Sequence, residues 1–104
     1  MRIPNVQEVP LIDYLSKKAG LDVKIEALEV EELPDGGMGS LAIGKFYESR
    51  RFGKEVASCQ FSDSDSVVVS ATLNVDEAGE LYELDVWKTD FKPLIRWPTT
   101  EDIE

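Results

Sequence analysis

Histidine is absent from this chain of 104 residues, and cysteine occurs once, as Cys59. The first absence removes Ser–His–Asp and Cys–His nucleophilic catalysis, histidine metal ligation and histidine pH switching. The second excludes an internal disulfide and a multi-thiolate metal site, and it agrees with a reducing compartment. Cys59 shares its parity with Ala57 and Phe61, so it reads as a buried structural thiol. Positive charge is also scarce: 11 Lys and Arg face 21 Asp and Glu, a net charge of −10. That balance argues against nucleic acid and anionic membrane surfaces and leaves long-range attraction to a basic protein partner. No apolar run approaches a membrane span; the longest β-branched cluster is Val67-Val68-Val69. The first residues, Met1-Arg2-Ile3-Pro4-Asn5, include no stretch of signal-peptide type, so a cytoplasmic address is expected.

What is present describes one α+β domain over residues 1–104, with 99–104 expected to fray. Asn5 followed by Glu8 is a capping-box-like start, and Val9, Ile12 and Leu15 recur at helical spacing. Gly20 then stands where a left-handed residue ends a helix, so a helix is expected from about residue 6 to 19. Pro10 is tolerable only in its first turn, which moves the regular helix toward Gln7. Beyond Leu21 the period becomes two. Val23, Ile25 and Ala27 alternate, then Leu28 and Val30 take the opposite parity, as across a bulge. Leu33-Pro34-Asp35-Gly36-Gly37 is a turn, with proline fixing one φ and glycines accepting positive φ. Further strands follow at about 41–47, 56–61, 67–75 and 80–88, joined by links too short for parallel crossovers. The expected architecture is an N-terminal helix on a curved five-stranded antiparallel meander, a roll.

The last strand, Glu80 to Lys88, carries the best functional lead. Tyr82, Leu84 and Val86 alternate with Glu83, Asp85 and Trp87, so the wet face bears an indole beside two carboxylates. Packing gives no reason to leave a tryptophan there. Two hairpin registers are open. With Asp76 to Gly79 as a four-residue loop, Val75 pairs Glu80 and Leu73 faces Tyr82, which keeps the apolar stripe unbroken. The bulged alternative pairs Val75 with Leu81 and sets Leu73 against Glu83, turning carboxylates toward the core, so the hydrophobic pattern decides for the first. The first makes Ser70, Thr72, Glu83, Asp85 and Trp87 one binding patch.

Other constellations read blandly. Glu83 and Asp85 lie about 6–7 Å apart along a strand, a glycosidase-like spacing with no cleft or electrophile to serve. Asp63 and Asp65 resemble the start of a calcium loop but lack its glycine and closing glutamate, so they read as a solvated loop. Gly36-Gly37-Met38-Gly39 has no following helix and reads as turn geometry or close approach of another backbone, not a phosphate loop. Arg50, Arg51 and Lys54 form the basic cluster, read as a solvated connection. No catalytic residue, metal or cofactor is assigned.

Asp35-Gly36-Gly37-Met38-Gly39-Ser40-Leu41, Leu73-Asn74-Val75-Asp76 and Glu83-Leu84-Asp85-Val86-Trp87-Lys88-Thr89-Asp90-Phe91-Lys92-Pro93-Leu94-Ile95 together resemble a family of short uncharacterised bacterial proteins, a domain of unknown function. The resemblance spans nearly the whole chain and implies a stand-alone bacterial domain without a transferable catalytic residue. By size and charge the chain is similar to toxin-neutralising immunity proteins. The functional expectation is a non-enzymatic binding protein using the patch around Trp87. Two alternatives stand beside it. One is a small-ligand receptor or enzyme with Asp85 or Asp90 in a concavity between helix and sheet. The other is a Trp87 covered by the Pro93–Trp97 segment or by a second copy in a homodimer.

Overall fold

The computed structural model of the chain describes residues 1–103. Its single α-helix, α1, runs from Val9 to Lys18, with Pro10 in the first turn where no N–H is missed. The expected capping pair forms one turn earlier. Glu8 N–H donates to Asn5 Oδ1 at 3.1 Å, while Asn5 N–H donates to Glu8 Oε1 at 2.9 Å. The exit is a Schellman motif: Gly20 lies at φ +74°, and the N–H groups of Leu21 and Gly20 reach Ser16 O and Lys17 O at 2.9 and 3.0 Å. Leu11, Ile12 and Leu15 are the buried apolar positions of the helix, whereas Val9 is only half-buried. Leu15→Ala is expected to cost about 2–4 kcal/mol in chemical denaturation. A loss under about 1 kcal/mol would mean that this face does not carry the helix.

Five strands form one open, wholly antiparallel sheet, the α+β class read from the sequence: β1 Val30–Glu32, β2 Leu41–Ile43, β3 Phe52–Ser62, β4 Val68–Asp76 and β5 Leu81–Lys88. The first two are shorter than their alternation suggests. The phase slip after Ala27 is a 3₁₀ turn, Ile25–Ala27, not a bulge, and it lets both Ile25 and Val30 turn inward. The spatial order is β1-β2-β5-β4-β3, which departs from a continuous meander at one step. The link from residue 44 to 51 carries the chain across the ends of β5 and β4, roughly three interstrand spacings or 15 Å, to the far edge. Arg50 holds that link through bonds to Asp76, Ile43 O and Leu81 O.

The core fills the face toward α1. Ala57, Cys59 and Phe61 of β3 lie opposite Leu73, Ala71 and Val69 of β4, which in turn face Leu84, Val86 and Lys88 of β5. Cys59 is buried as expected, and burial pushes its thiol up to about 11, far from a reactive thiolate. Of the segment expected to fray, Thr99 to Ile103 closes a 3₁₀ turn with a reciprocal Thr99–Asp102 capping box, and Ile103 packs against the core. Residue 104 lies outside the described residues.

Candidate functional site

The face of β3, β4 and β5 turned away from α1 is where the predicted patch lies. Ser58, Gln60 and Ser62 pair with Thr72, Ser70 and Val68; Thr72, Ser70 and Asn74 pair with Asp85, Trp87 and Glu83. Small hydroxyls, amides, two carboxylates, Val68 and one indole make up these pairs, and none of them is basic. All five predicted residues, Ser70, Thr72, Glu83, Asp85 and Trp87, share it. Their register differs from both sequence alternatives. Asp76 N–H donates to Glu80 O at 2.8 Å and Gly79 takes φ +83°, so the favoured Val75–Glu80 pair does not form and Val75 pairs Leu81, as in the bulged alternative. A bulge then inserts Tyr82, and Leu73 faces Leu84 instead of Tyr82 or Glu83. The bulge restores apolar-to-apolar parity that the tight turn alone would have inverted.

Tyr82 therefore leaves the Leu84–Val86 stripe with which it was grouped. Its ring stacks on Tyr47 with centroids 4.6 Å apart, and it lies outside the core cluster. Tyr47 in turn donates its hydroxyl to Glu83 Oε2 at 2.6 Å, and Asn74 Nδ2 donates to Glu83 Oε1 at 3.1 Å. Burial, and then the Glu83 carboxylate, hold the Tyr47 hydroxyl well above its ordinary value. Glu83 is thus committed within the molecule. Asp85 is not: it is exposed, with only a long 3.4 Å contact from Ser40 Oγ.

At the other end of the face, Trp87 is 45% exposed, flanked by Val68 at 41% and Phe91 at 69%. The Trp87 and Phe91 rings lie 6.0 Å apart at 55°. Phe91 sits in the left-handed region at φ 63°, an uncommon place for an aromatic residue. Sequence reasoning missed it, although its place four residues beyond Trp87 was the available signal. The Pro93–Trp97 segment does not cover Trp87. Trp97 instead packs against the core and the glycine loop, where a Cβ on Gly39 would come within 3.2 Å of its ring.

What fixes this end is a buried ion cluster absent from the sequence reading. Lys88 is fully buried on the core face, and its Nζ donates to Asp63 Oδ2 at 2.9 Å, Asp65 Oδ2 at 2.7 Å and Pro93 O at 3.4 Å. Asp63 also accepts the N–H groups of Ile95 at 2.8 Å and Arg96 at 3.1 Å. The supposed solvated loop is therefore a clamp on the C-terminal segment. That segment crosses the glycine loop, where Leu94 N–H donates to Gly37 O at 3.0 Å and Gly37 faces Pro93. The two longest motifs of the family resemblance pack on each other here, with the glycines permitting close backbone approach.

No group of three or more Cys, Asp or Glu among the described residues is arranged to hold a metal ion. At the one calcium-like pair, the Lys88 ammonium occupies the position a cation would need. Calorimetric titration with calcium is expected to give no saturable heat at micromolar concentration; a saturable signal would mean that the clamp opens for the ion. The concavity between α1 and the sheet is filled by the core, and Asp85 lies on the opposite face, while Asp90 is exposed in the turn after β5. A cleft of about 240 Å³ lies between the glycine loop, Glu8 and Trp97. Its deepest carboxylate, Glu8, is already held by Arg2 at 2.7 and 2.9 Å. Among the described residues no helix is long and apolar enough to cross a membrane.

Residues 1–98 match the family model described as domain of unknown function (DUF6984), and the chain belongs to that family. Neither a curated protein nor a solved structure matches it.

Proposed function

We propose that this is a cytoplasmic, non-enzymatic binding protein that receives a basic protein partner on the outer face of β4 and β5. The observation that carries the proposal is the exposed aromatic pair Trp87–Phe91 standing beside Asp85, where none of the residues paired on this face is basic. Tryptophan is among the residues that dominate binding energy when a partner covers it, and exposed apolar clusters on rigid strands suit that role. The net charge of −10 supplies steering toward a basic surface, with association slowing as salt is added. An immunity-type neutraliser of a basic toxin fits this size and charge, and a bacterial origin goes with it.

A photo-crosslinking residue placed at position 87, at 72 or at 17 on the exposed side of α1 tests the proposal in the cells that make the protein. The expected result is one basic protein captured from positions 87 and 72, absent from position 17, and lost in an Asp85→Lys background. Capture of a second copy of this chain would replace the basic partner with a homodimer. Equal capture from all three positions would remove the face from consideration.

A further inference from the structure

We propose that the Trp87–Phe91 corner and Asp85 together form a seat for one arginine side chain of the partner. This rests on the binding face proposed above and adds the chemistry by which that face is read. Asp85 and Trp87 are two residues apart on one strand, about 6–7 Å, which is within the span of a guanidinium and its last methylenes. Glu83 cannot serve, since both of its oxygens already accept hydrogen bonds from Tyr47 and Asn74. Asp85 is thus the carboxylate of the pair left for a ligand.

The two aromatic rings keep free surface. At 6.0 Å and 55° they make a tilted contact that leaves most of each ring uncovered, and both are well exposed. A planar cation can lie on the indole face, which is the best cation–π surface among side chains, with its edge turned to the carboxylate. Arginine meets both demands at once because its guanidinium is flat, weakly hydrated and forked. An ammonium is compact and strongly hydrated, and it can satisfy only one demand well. Ser70 and Thr72, opposite Trp87 and Asp85, put small hydroxyls beside the seat and leave it unobstructed.

The seat is also held rigid, which lowers the ordering cost of binding. Trp87 stands between Val86 and Lys88, both buried. Phe91 is tied by its N–H to Lys88 O at 2.8 Å, and the chain beyond it is clamped by Lys88 on Pro93 O and by Asp63 on Ile95 and Arg96. The left-handed backbone at Phe91 is kept by these anchors on both sides, and it turns the ring outward beside Trp87.

The test uses the intact protein, ¹⁵N-labelled, and three capped tripeptides, Gly-Arg-Gly, Gly-Lys-Gly and Gly-citrulline-Gly. With two tryptophans in the chain, Trp97 supplies an internal control. The arginine peptide is expected to shift the Trp87 indole N–H and the amides of Asp85 and Ser70 saturably at millimolar concentration, leaving the Trp97 indole in place. Lysine should bind about threefold or more weakly, and Trp87→Leu or Asp85→Asn should each weaken arginine binding about fivefold. Equal shifts from citrulline, or shifts centred away from Trp87, would overturn the seat. A basic partner crosslinked at position 87 together with an unmoved Trp87 indole would sink the arginine seat alone. Saturable arginine binding without a captured partner would support the seat and count against the partner.

Discussion

Lys88→Ala should lower the thermal midpoint by more than about 12 °C, a larger effect than Leu15→Ala. The reason is what remains, not what is removed. Asp63 is 4% exposed, and with the ammonium gone its carboxylate keeps only backbone N–H partners in a dry site. Lys88→Met should fare little better, since it refills the volume but still leaves the charge. Lys88→Met combined with Asp63→Asn should recover part of the loss, and that non-additivity is the signature of a coupled pair. Asp65→Ala alone should cost much less, because Asp65 stands at the exposed end of the cluster.

The same cluster gives stability a definite pH dependence. Burial pushes Asp63 up, but the Ile95 N–H, the Lys88 ammonium and the N–H groups of Ser64 and Arg96 outweigh it and hold the carboxyl below its ordinary value. A depressed folded value means that its contribution is present above the unfolded value of about 3.9 and fades as pH falls through the folded one. Lys88 has the opposite sign. Burial lowers it, the bonds to Asp65 and Asp63 more than reverse that, and the ammonium is held above its ordinary value. Its contribution is therefore complete below about pH 10.4 and lost as pH rises through the folded value. Urea midpoints measured from pH 3 to 11 should show a plateau bounded by both falls. The Lys88→Met, Asp63→Asn double variant should show shallower slopes on both sides, and unchanged slopes would place the titration elsewhere.

Local chemistry was legible in the chain; long-range pairing was less so. The Asn5–Glu8 pair forms as read, one turn ahead of the helix, and Gly20 ends it where expected, because each acts through neighbours within one turn. The glycine loop was legible as a place of close approach, though not what approached it. Alternation separated Leu84 and Val86 from Asp85 and Trp87, and the structure keeps that separation. It could not locate the bulge at Tyr82, because a bulge satisfies the same parity while moving the register by two. Aspartates in a serine-rich run look solvated unless a lysine from a distant strand reaches them, and nothing local to Asp63 announces Lys88. Of the patch, Trp87, Asp85, Ser70 and Thr72 lie together at the surface, whereas Glu83 is engaged by Tyr47, a residue placed there by a link whose path was not foreseen.

That path leads to the second large effect. Arg50→Ala should lower the thermal midpoint by at least about 12 °C, with Arg50→Lys recovering less than half of the loss. Arg50 lies on the link from β2 to the far edge strand, and its side chain is only 18% exposed. Nε donates to Asp76 Oδ2 at 2.8 Å, Nη1 to Ile43 O at 2.7 Å, and Nη2 to Leu81 O. One guanidinium thus joins the end of β2, the start of β5 and the end of β4, and its Cζ lies over the Tyr82 ring, 5.3 Å from the centroid. The two strand-end carbonyls and Asp76 Oδ2 lose this donor in Arg50→Ala, and each oxygen left unpaired carries a desolvation penalty, while Asp76 Oδ1 keeps the N–H groups of Ala78 and Glu80. Lysine offers one compact head for positions that need a flat fork, and it can reach only one of them at a time. The basic cluster read as a solvated connection is, at this residue, the tie that makes β2 pair with β5. Hydrogen exchange supplies the discriminating measurement. In Arg50→Ala the amides of Val30–Glu32 and Leu41–Ile43 should lose protection before those of β3 and β4, since the β1–β2 hairpin depends on this tie and the three-stranded β3–β4–β5 unit does not. Uniform loss across all five strands would instead make Arg50 an ordinary contributor to global stability.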